Sequence, residues 1–140
     1  MAEQADIIGA TRDFLASVFD LAALLDTRIF AVELPASQSG AMPRKALVIS
    51  PAGGLGSNDF VEIAGIRFDL LCYGETPGEA DRVRRAAHGA LQQMSRKTHL
   101  DVILHSATLS GGPTHFRDQD TDWPVSMETW RVTAAETLAA

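Results

Sequence analysis

The chain has 140 residues, the length of one ordinary domain and enough to bury an independent core. Hydrophobic residues make up 46% and charged residues 21%, so the composition excludes a disordered or fibrous chain. The formal net charge of −6 gives no electrostatic reason to expect nonspecific binding to nucleic acid or to an anionic membrane. The single cysteine, Cys72, excludes an intramolecular disulfide and disfavours a cysteine-based zinc site. We therefore expect one acidic, soluble domain over residues 1–140.

The first half of the chain predicts one long helix and then three strands. Apolar residues recur at three- and four-residue steps over residues 5–25, which is typical of an amphipathic helix. Residues 36–40 are small and polar and predict a loop. No stretch approaches the roughly 20 apolar residues of a membrane span, and the N-terminus lacks the pattern of a secretory signal. β-Branched and aromatic residues predict strands over residues 28–34, 45–50 and 60–73.

The second half predicts one capped helix and two further strands. Thr76 is a suitable N-cap, Pro77 suits the first helical position, and Glu79 completes a capping box. We expect this helix to run to about Arg96. Strands should follow over residues 101–110 and 125–134, joined by a polar loop over residues 111–122.

The element order α-β-β-β-α-β-β predicts an α+β fold in which two helices cover one face of a mostly antiparallel sheet. Arg67 and Asp69 alternate with apolar residues, and a fully buried parallel strand would not tolerate both charges. The periodicities also predict which apolar faces meet. We expect one strand and the capped helix to pack through Phe68, Leu70, Cys72, Val83, Ala87, Ala90 and Leu91.

Asp118, Asp120 and Asp122 have the spacing that opens an EF-hand calcium loop. The pattern then fails, because Trp123 replaces the glycine of the sixth position and Thr129 replaces the glutamate of the twelfth. The alternatives are a solvated turn between two strands and a loop that contacts another protein. We predict no metal site here.

No other pattern predicts a catalytic or cofactor site. The four histidines do not share a helical face, and the sequence Gly53-Gly54-Leu55-Gly56 lacks the third glycine of a dinucleotide fingerprint. Cys72 lies on the apolar face of its strand, where a buried thiol is typical. We therefore predict that the protein is not an enzyme and needs no cofactor. Arg82, Arg84, Arg85, Arg96 and Lys97 are predicted to form a solvated helix face that can also meet a neighbouring subunit.

Four passages, spread over most of the chain, carry a resemblance to a known family. They are Leu25-Asp26-Thr27-Arg28-Ile29-Phe30 with Leu34-Pro35; Met42-Pro43-Arg44-Lys45-Ala46-Leu47-Val48-Ile49 with Pro51-Ala52-Gly53-Gly54; Arg67-Phe68-Asp69-Leu70-Leu71-Cys72-Tyr73-Gly74-Glu75-Thr76-Pro77-Gly78-Glu79-Ala80; and Leu104-His105-Ser106-Ala107 with Gly112-Pro113, Arg117-Asp118, Asp120-Thr121-Asp122-Trp123-Pro124 and Trp130-Arg131-Val132. In this order and spacing, the chain resembles the tail terminator, or tail completion, proteins of long-tailed bacteriophages and gene transfer agents. Similar proteins often have glycine where this chain has Asp122.

The resemblance implies an α+β subunit that closes into a homo-oligomeric ring, typically a hexamer. Such a ring caps the tail tube protein, stops its polymerisation and joins the tail to the head connector or adaptor. It implies a place at the head-proximal end of the virion tail, synthesis in the cytoplasm of a bacterial host, DNA that only passes through the lumen, and no membrane partner. The acidic composition suits a channel wall that must not bind phosphate.

Arg117, Asp118, Asp120 and Asp122 are the candidate contacts to a neighbouring subunit or to the tube, because opposite charges on a loop can fix the register between partners. The loops over residues 35–43 and 52–59 are further candidates. Two other hypotheses stay open. One is a head–tail adaptor or a tail tube subunit, and the other is a small enzyme that uses Asp118, Asp120 and a histidine around a metal.

Overall fold

A computed structural model describes residues 6–55 and 63–135. Within these ranges the chain forms four helices and six strands, which confirms the α+β fold class predicted from sequence. The elements follow one another as α1 (Ile7–Ser17), α2 (Phe19–Leu25), β1 (Ile29–Ala31), α3 (Ala36–Ser39), β2 (Ala46–Leu55), β3 (Ile63–Tyr73), α4 (Pro77–Gln92), β4 (Ser95–His99), β5 (Val102–Arg117) and β6 (Pro124–Ala135).

The six strands form one sheet in the order β1-β2-β3-β6-β5-β4. Four of the neighbouring pairs are antiparallel, as predicted, whereas β1 and β2 run parallel. Parallel neighbours need a crossover connection of a dozen or more residues, and residues 32–45 provide it. This connection contains α3, which lies where the sequence predicted only a loop.

The N-terminal helix predicted over residues 5–25 is two helices, and residue 5 lies outside the described residues. Asp6 caps α1 by accepting a hydrogen bond from the Gly9 N–H at 3.0 Å. Val18 then adopts an extended conformation, with φ −79° and ψ 122°, and separates α1 from α2. The change of direction allows Leu15 and Leu21 to be fully buried on the two sides of the break.

The capped helix begins as predicted and ends earlier. The Thr76 hydroxyl accepts from the Glu79 N–H at 3.1 Å, and the Glu79 carboxylate accepts from the Glu75 N–H at 3.1 Å. The prediction that α4 runs to about Arg96 is wrong, because residues 95–99 form β4 instead. Strand β4 turns into β5 through Leu100 and Asp101, whose φ angles of 49° and 60° are those of a two-residue hairpin.

Strand β5 is longer than predicted and makes most of the predicted loop over residues 111–122 part of the sheet. Pairing with β6 continues to Arg117, with register shifts around Gly111. Gly112 has φ 104°, and a side chain there would come within 2.9 Å of the Met127 carbonyl oxygen. A glycine and a proline therefore form an irregularity within a strand, and the connecting turn covers only residues 118–123.

The main core lies between the sheet and the helices. Helix α4 packs on β3, β5 and β6, and α1 lies against β1, β2, β4 and β5, so both predicted helical regions cover one face. The residues predicted to bring β3 and α4 together belong to one buried cluster, which includes Phe68, Leu70, Cys72, Val83, Ala87, Ala90 and Leu91. A smaller apolar cluster on the opposite face is built from Ala46, Val48, Tyr73 and Val125, with Leu34, Met42 and Trp123 packed on it.

Candidate interface: the β5–β6 hairpin

The turn between β5 and β6 contains Asp118, Asp120 and Asp122, and the fourth predicted interface residue, Arg117, is the last residue of β5. Asp118 organises the turn: its Oδ1 accepts hydrogen bonds from the N–H groups of Asp120, at 2.9 Å, and Thr121, at 3.0 Å. The Asp118 N–H donates to the Trp123 carbonyl and the Asp122 N–H donates to the Asp118 carbonyl, at 3.0 and 2.8 Å. The two backbone donors hold the pKa of the Asp118 carboxyl below its ordinary value. Asp118 therefore stabilises the local turn in its ionised form.

Arg117 pairs with the far side of the turn instead of with the adjacent Asp118. Its guanidinium donates to the Asp122 carbonyl oxygen at 2.9 Å, and its Nη1 lies 3.8 Å from Asp122 Oδ2. Asp122 adopts φ 61°, the left-handed conformation that glycine adopts most easily. The Asp120 side chain is exposed and has no ion-pair partner among residues 6–55 and 63–135.

The base of the turn is fixed to the sheet by aromatic packing. Trp123 meets Tyr73 edge-to-face, with ring centroids 6.1 Å apart. Next to the turn, a shallow cavity of about 220 Å³ is lined mainly by Pro77, His115, Phe116 and Val125. Phe116 is also one of the exposed large apolar side chains of the structure. The hairpin end thus presents charged groups on a rigid base with apolar surface beside them.

Sequence reasoning missed a buried polar cluster behind this hairpin. Glu128 is only 1% exposed, and its carboxylate accepts hydrogen bonds from Arg84 at 2.8 Å and from the Trp130 indole at 3.0 Å. His88 Nδ1 lies 3.0 Å from the same carboxylate. The cluster joins α4 to β6 across the core. A buried carboxylate is tolerated only with such partners, so its role in the fold is to hold α4 in place.

One signal in the sequence pointed to Glu128 itself, although not to its partners. Glu128 falls between Ser126 and Trp130 on the inward-facing positions of β6, all three of them buried. The prediction of a solvated arginine face is wrong for Arg84, whose side chain is largely buried and is shared between Glu128 and Asp81. Arg82 and Arg85 are exposed as predicted, whereas Arg96 and Lys97 are exposed but lie on β4 and not on the predicted helix face.

Ser126, His115 and Asp81 have the residue types of a hydrolase triad, but their geometry does not fit nucleophilic catalysis. Ser126 Oγ lies 2.8 Å from His115 Nδ1, yet Ser126 is only 1% exposed. His115 Nε2 is 3.8 Å from Asp81, whose two oxygens already accept from Arg84 and Arg85. Those arginines hold the pKa of Asp81 below its ordinary value. A triad needs both histidine hydrogen bonds and an accessible hydroxyl, so this contact links β5, β6 and α4 structurally.

Cys72 lies in the core, as predicted. Burial raises the pKa of its thiol far above the ordinary value, and the nearby Glu128 carboxylate raises it further. The group therefore stays protonated and is a poor nucleophile. In the described ranges, no group of three or more histidine, cysteine, aspartate or glutamate side chains is placed to hold a metal ion. None of the helices described is both long enough and apolar enough to cross a membrane.

The fold is shared with a solved virion structure. One chain of a structure titled "Virion of native gene transfer agent (GTA) particle" superimposes with a TM-score of 0.71. The match covers 92% of this chain and 94% of that chain, at 15% sequence identity. No protein-family model matches the sequence, and no curated protein matches it. At this identity the likeness shows a common fold over almost the whole of both chains.

Proposed function

We propose that the protein is a structural component of a phage or gene transfer agent virion, and within it the tail terminator. The observation that carries the proposal is the structural match over nearly the full length of a chain from a gene transfer agent virion. The sequence passages that resemble tail terminators favour this component among the proteins of such a particle. In this role the chain forms a ring, most simply a hexamer, at the head-proximal end of the tail.

The shape of the sheet supports a role in assembly. Strand β4 covers β5 only at residues 102–106, so within the described residues the outer edge of β5 from residue 107 onward has no paired strand. At the other edge, β1 covers only three residues of β2. Edges of this kind, with the exposed side chains of Leu109 and Phe116, are suited to contacts with other chains.

In this proposal the turn residues make protein–protein contacts. The charged side chains that contact a neighbouring subunit or the tail tube protein are those of Arg117, Asp120 and Asp122. Asp118 stabilises the conformation of the turn. The partners are further copies of this chain, the tube protein and the head–tail connector, and DNA only passes through the lumen. The polar clusters described above have structural partners, which favours a non-enzymatic role.

Electron microscopy of particles made without this protein tests the role. If the protein is the terminator, particles made without it should have tails of irregular length that fail to join heads, because nothing stops the growth of the tube. Normal tails with unjoined heads would indicate a head–tail adaptor instead, and the absence of any tube would indicate a tube subunit. Normal, head-joined tails would contradict all three roles. Re-expression of the intact chain is the control and should restore tails of uniform length.

A further inference from the structure

A groove runs between α2 and α4 on the outer side of the helices. Two cavities of about 410 and 280 Å³ adjoin there and share Asp20 and Ala86 in their walls. The first is also lined by Lys45 and Arg82, and the second by Arg85. We call this surface the α2–α4 groove.

The floor of the α2–α4 groove is made of small residues, among them Ala86 and Gly89, so a partner's backbone can approach closely. Phe19 lies at the start of α2, next to two groove residues in the chain, and is 83% exposed. An aromatic side chain with so much surface in water is unusual in an isolated domain and typical of a contact surface. Phe19 does not line the groove itself, but it offers a protein partner an exposed aromatic side chain next to it in the chain.

The charges of the groove are incompletely paired. Three basic residues, Lys45, Arg82 and Arg85, face one acidic residue, Asp20. Arg85 has a partner in Asp81, at 3.0 Å. In the described part of the chain, no carboxylate lies within 4 Å of the Lys45 ammonium or the Arg82 guanidinium. The groove thus fits a partner with several acidic groups and one basic group.

The β5–β6 turn of the same chain has this reciprocal pattern, with Arg117 beside Asp118, Asp120 and Asp122. The two surfaces are separate on the molecule. Lys45 of the groove directly precedes β2 and the turn follows β5, and at this end of the sheet β3 and β6 lie between them. A contact between unlike surfaces of identical chains is head-to-tail and produces a ring when the rotation closes.

We propose that the β5–β6 turn of one copy docks in the α2–α4 groove of the next copy. In this arrangement Asp120 and Asp122 approach Lys45 and Arg82, and Arg117 approaches Asp20. The inference rests on the proposed function only in that a ring needs such a contact; the groove and the turn are complementary whatever the ring caps.

Charge exchange tests the docking in purified protein. Asp120→Arg and Arg82→Glu should each weaken self-association about tenfold or more, since each places like charges together. The double variant, with both changes in one chain, should recover most of the loss because the charges are again opposite. Glu33→Arg and Lys97→Glu make the same charge changes at exposed positions outside the groove and the turn, and they should have little effect. Additive losses in the double variant would overturn the proposal.

Cross-linking covers the case in which the purified chain does not self-associate. Chains that carry both Asp120→Cys and Ala23→Cys should form covalent multimers with a short bismaleimide, in solution or in assembled particles, while the buried Cys72 stays unreacted. A chain with Glu33→Cys and Ala23→Cys is the matched control and should stay monomeric. No multimers in either setting, or cross-links that join the thiol introduced in the turn to the tube protein only, would overturn the docking. Tail length in particles is scored separately. Capped, uniform tails without these cross-links would contradict the docking but would not contradict the terminator role.

Discussion

The β5–β6 turn and the Glu128 cluster each depend on a carboxylate. In the turn the carboxylate has partners close by in sequence, whereas in the cluster it has partners on a distant helix. At the turn Asp120 and Asp122 are exposed, with 84% of the Asp122 side chain in water. Asp118 is half-buried, and its main partners are N–H groups within three residues. Glu128 is 1% exposed, and its charged partner Arg84 is 44 residues away in sequence. The first set shapes a local loop, while the second ties a helix to a sheet.

The comparison shows that sequence position and burial decide what an acidic residue contributes. An exposed carboxylate interacts through water and contributes little to the stability of the fold, so its charge remains available to a partner. Burying a carboxylate costs free energy unless a cationic side chain lies beside it. The carboxylate therefore fixes the position of the element that carries this side chain. We therefore expect substitutions in the cluster to affect folding and substitutions in the turn to affect assembly.

Removing the buried charge should have the largest effect. Glu128→Ala leaves Arg84 with only the partly exposed Asp81 as a partner and removes the acceptor of the buried Trp130 indole, and we expect the free energy of unfolding to fall by about 3–5 kcal/mol. Chemical denaturation monitored by circular dichroism measures it. Asp120→Ala is the matched control, an acid-to-alanine change without a buried partner. A loss below about 1 kcal/mol for Glu128→Ala would mean that the cluster does not hold α4.

Overpacking the apolar contact beside this cluster should be the next largest effect. Ala87 is fully buried between α4 and the sheet, so Ala87→Trp should destabilise the protein by roughly 1–3 kcal/mol or more. Thermal unfolding checks this against Gln92→Trp, which adds the same side chain at an exposed position of α4. An unchanged melting temperature for Ala87→Trp would rule out the packing of α4 on β3.

Removing the carboxylate that shapes the turn should cost less. Asp118→Ala loses two hydrogen bonds to backbone N–H groups, and we expect a loss of about 1 kcal/mol because both donors can turn to water. Asp120→Ala should stay within about 0.5 kcal/mol, since its side chain is exposed. Chemical denaturation of the two variants compares them directly. Equal losses would show that Asp118 has no special part in the turn.

The smallest expected effect is the change with pH in the contribution of Asp118 to the free energy of unfolding. The pKa of Asp118 is lower in the folded protein than its ordinary value, so ionised Asp118 favours the folded state. This contribution is present above the unfolded pKa of about 4 and is lost as pH falls through the lower folded pKa. The difference in unfolding free energy between the wild type and Asp118→Asn should be constant from neutral pH down to about 5 and shrink in more acidic solution. A difference that grows on acidification would reverse the assignment.

Local signals explain what could be predicted from sequence. The start of α4 depends on Thr76, Pro77 and Glu79, which are neighbours in the chain. The structure has the predicted Thr76 cap, while Glu79 accepts from the N–H of Glu75, one residue before the N-cap of the predicted capping box. The alternation of apolar residues identified the buried face of β3 in the same way. These features are decided within a few residues, so a single sequence contains them.

The features that escaped prediction depend on distant contacts or unusual backbone angles. Strand β4 is charged and turns at Leu100 and Asp101 with positive φ angles, without the Asn-Gly signal typical of such hairpins. Gly112 and Pro113 indicated a loop, yet they form an irregularity where β5 has no outer neighbour among the described residues. The Glu128 site required knowing that α4 lies over β6, which no local pattern shows. Of the predicted turn residues, the structure brings Arg117 to Asp122, while their contacts with other chains stay predictions.

The burial of the chain's one cysteine has a practical consequence for measuring the protein's motions. Cys72 is fully buried between β3 and α4, so a thiol-alkylating reagent reaches it only when that packing opens transiently. The alkylation rate under native conditions therefore counts opening events, much as amide hydrogen exchange does. Any assembly that holds α4 against the sheet should slow this labelling, so the unmodified protein reports through its own thiol on whether its copies have come together.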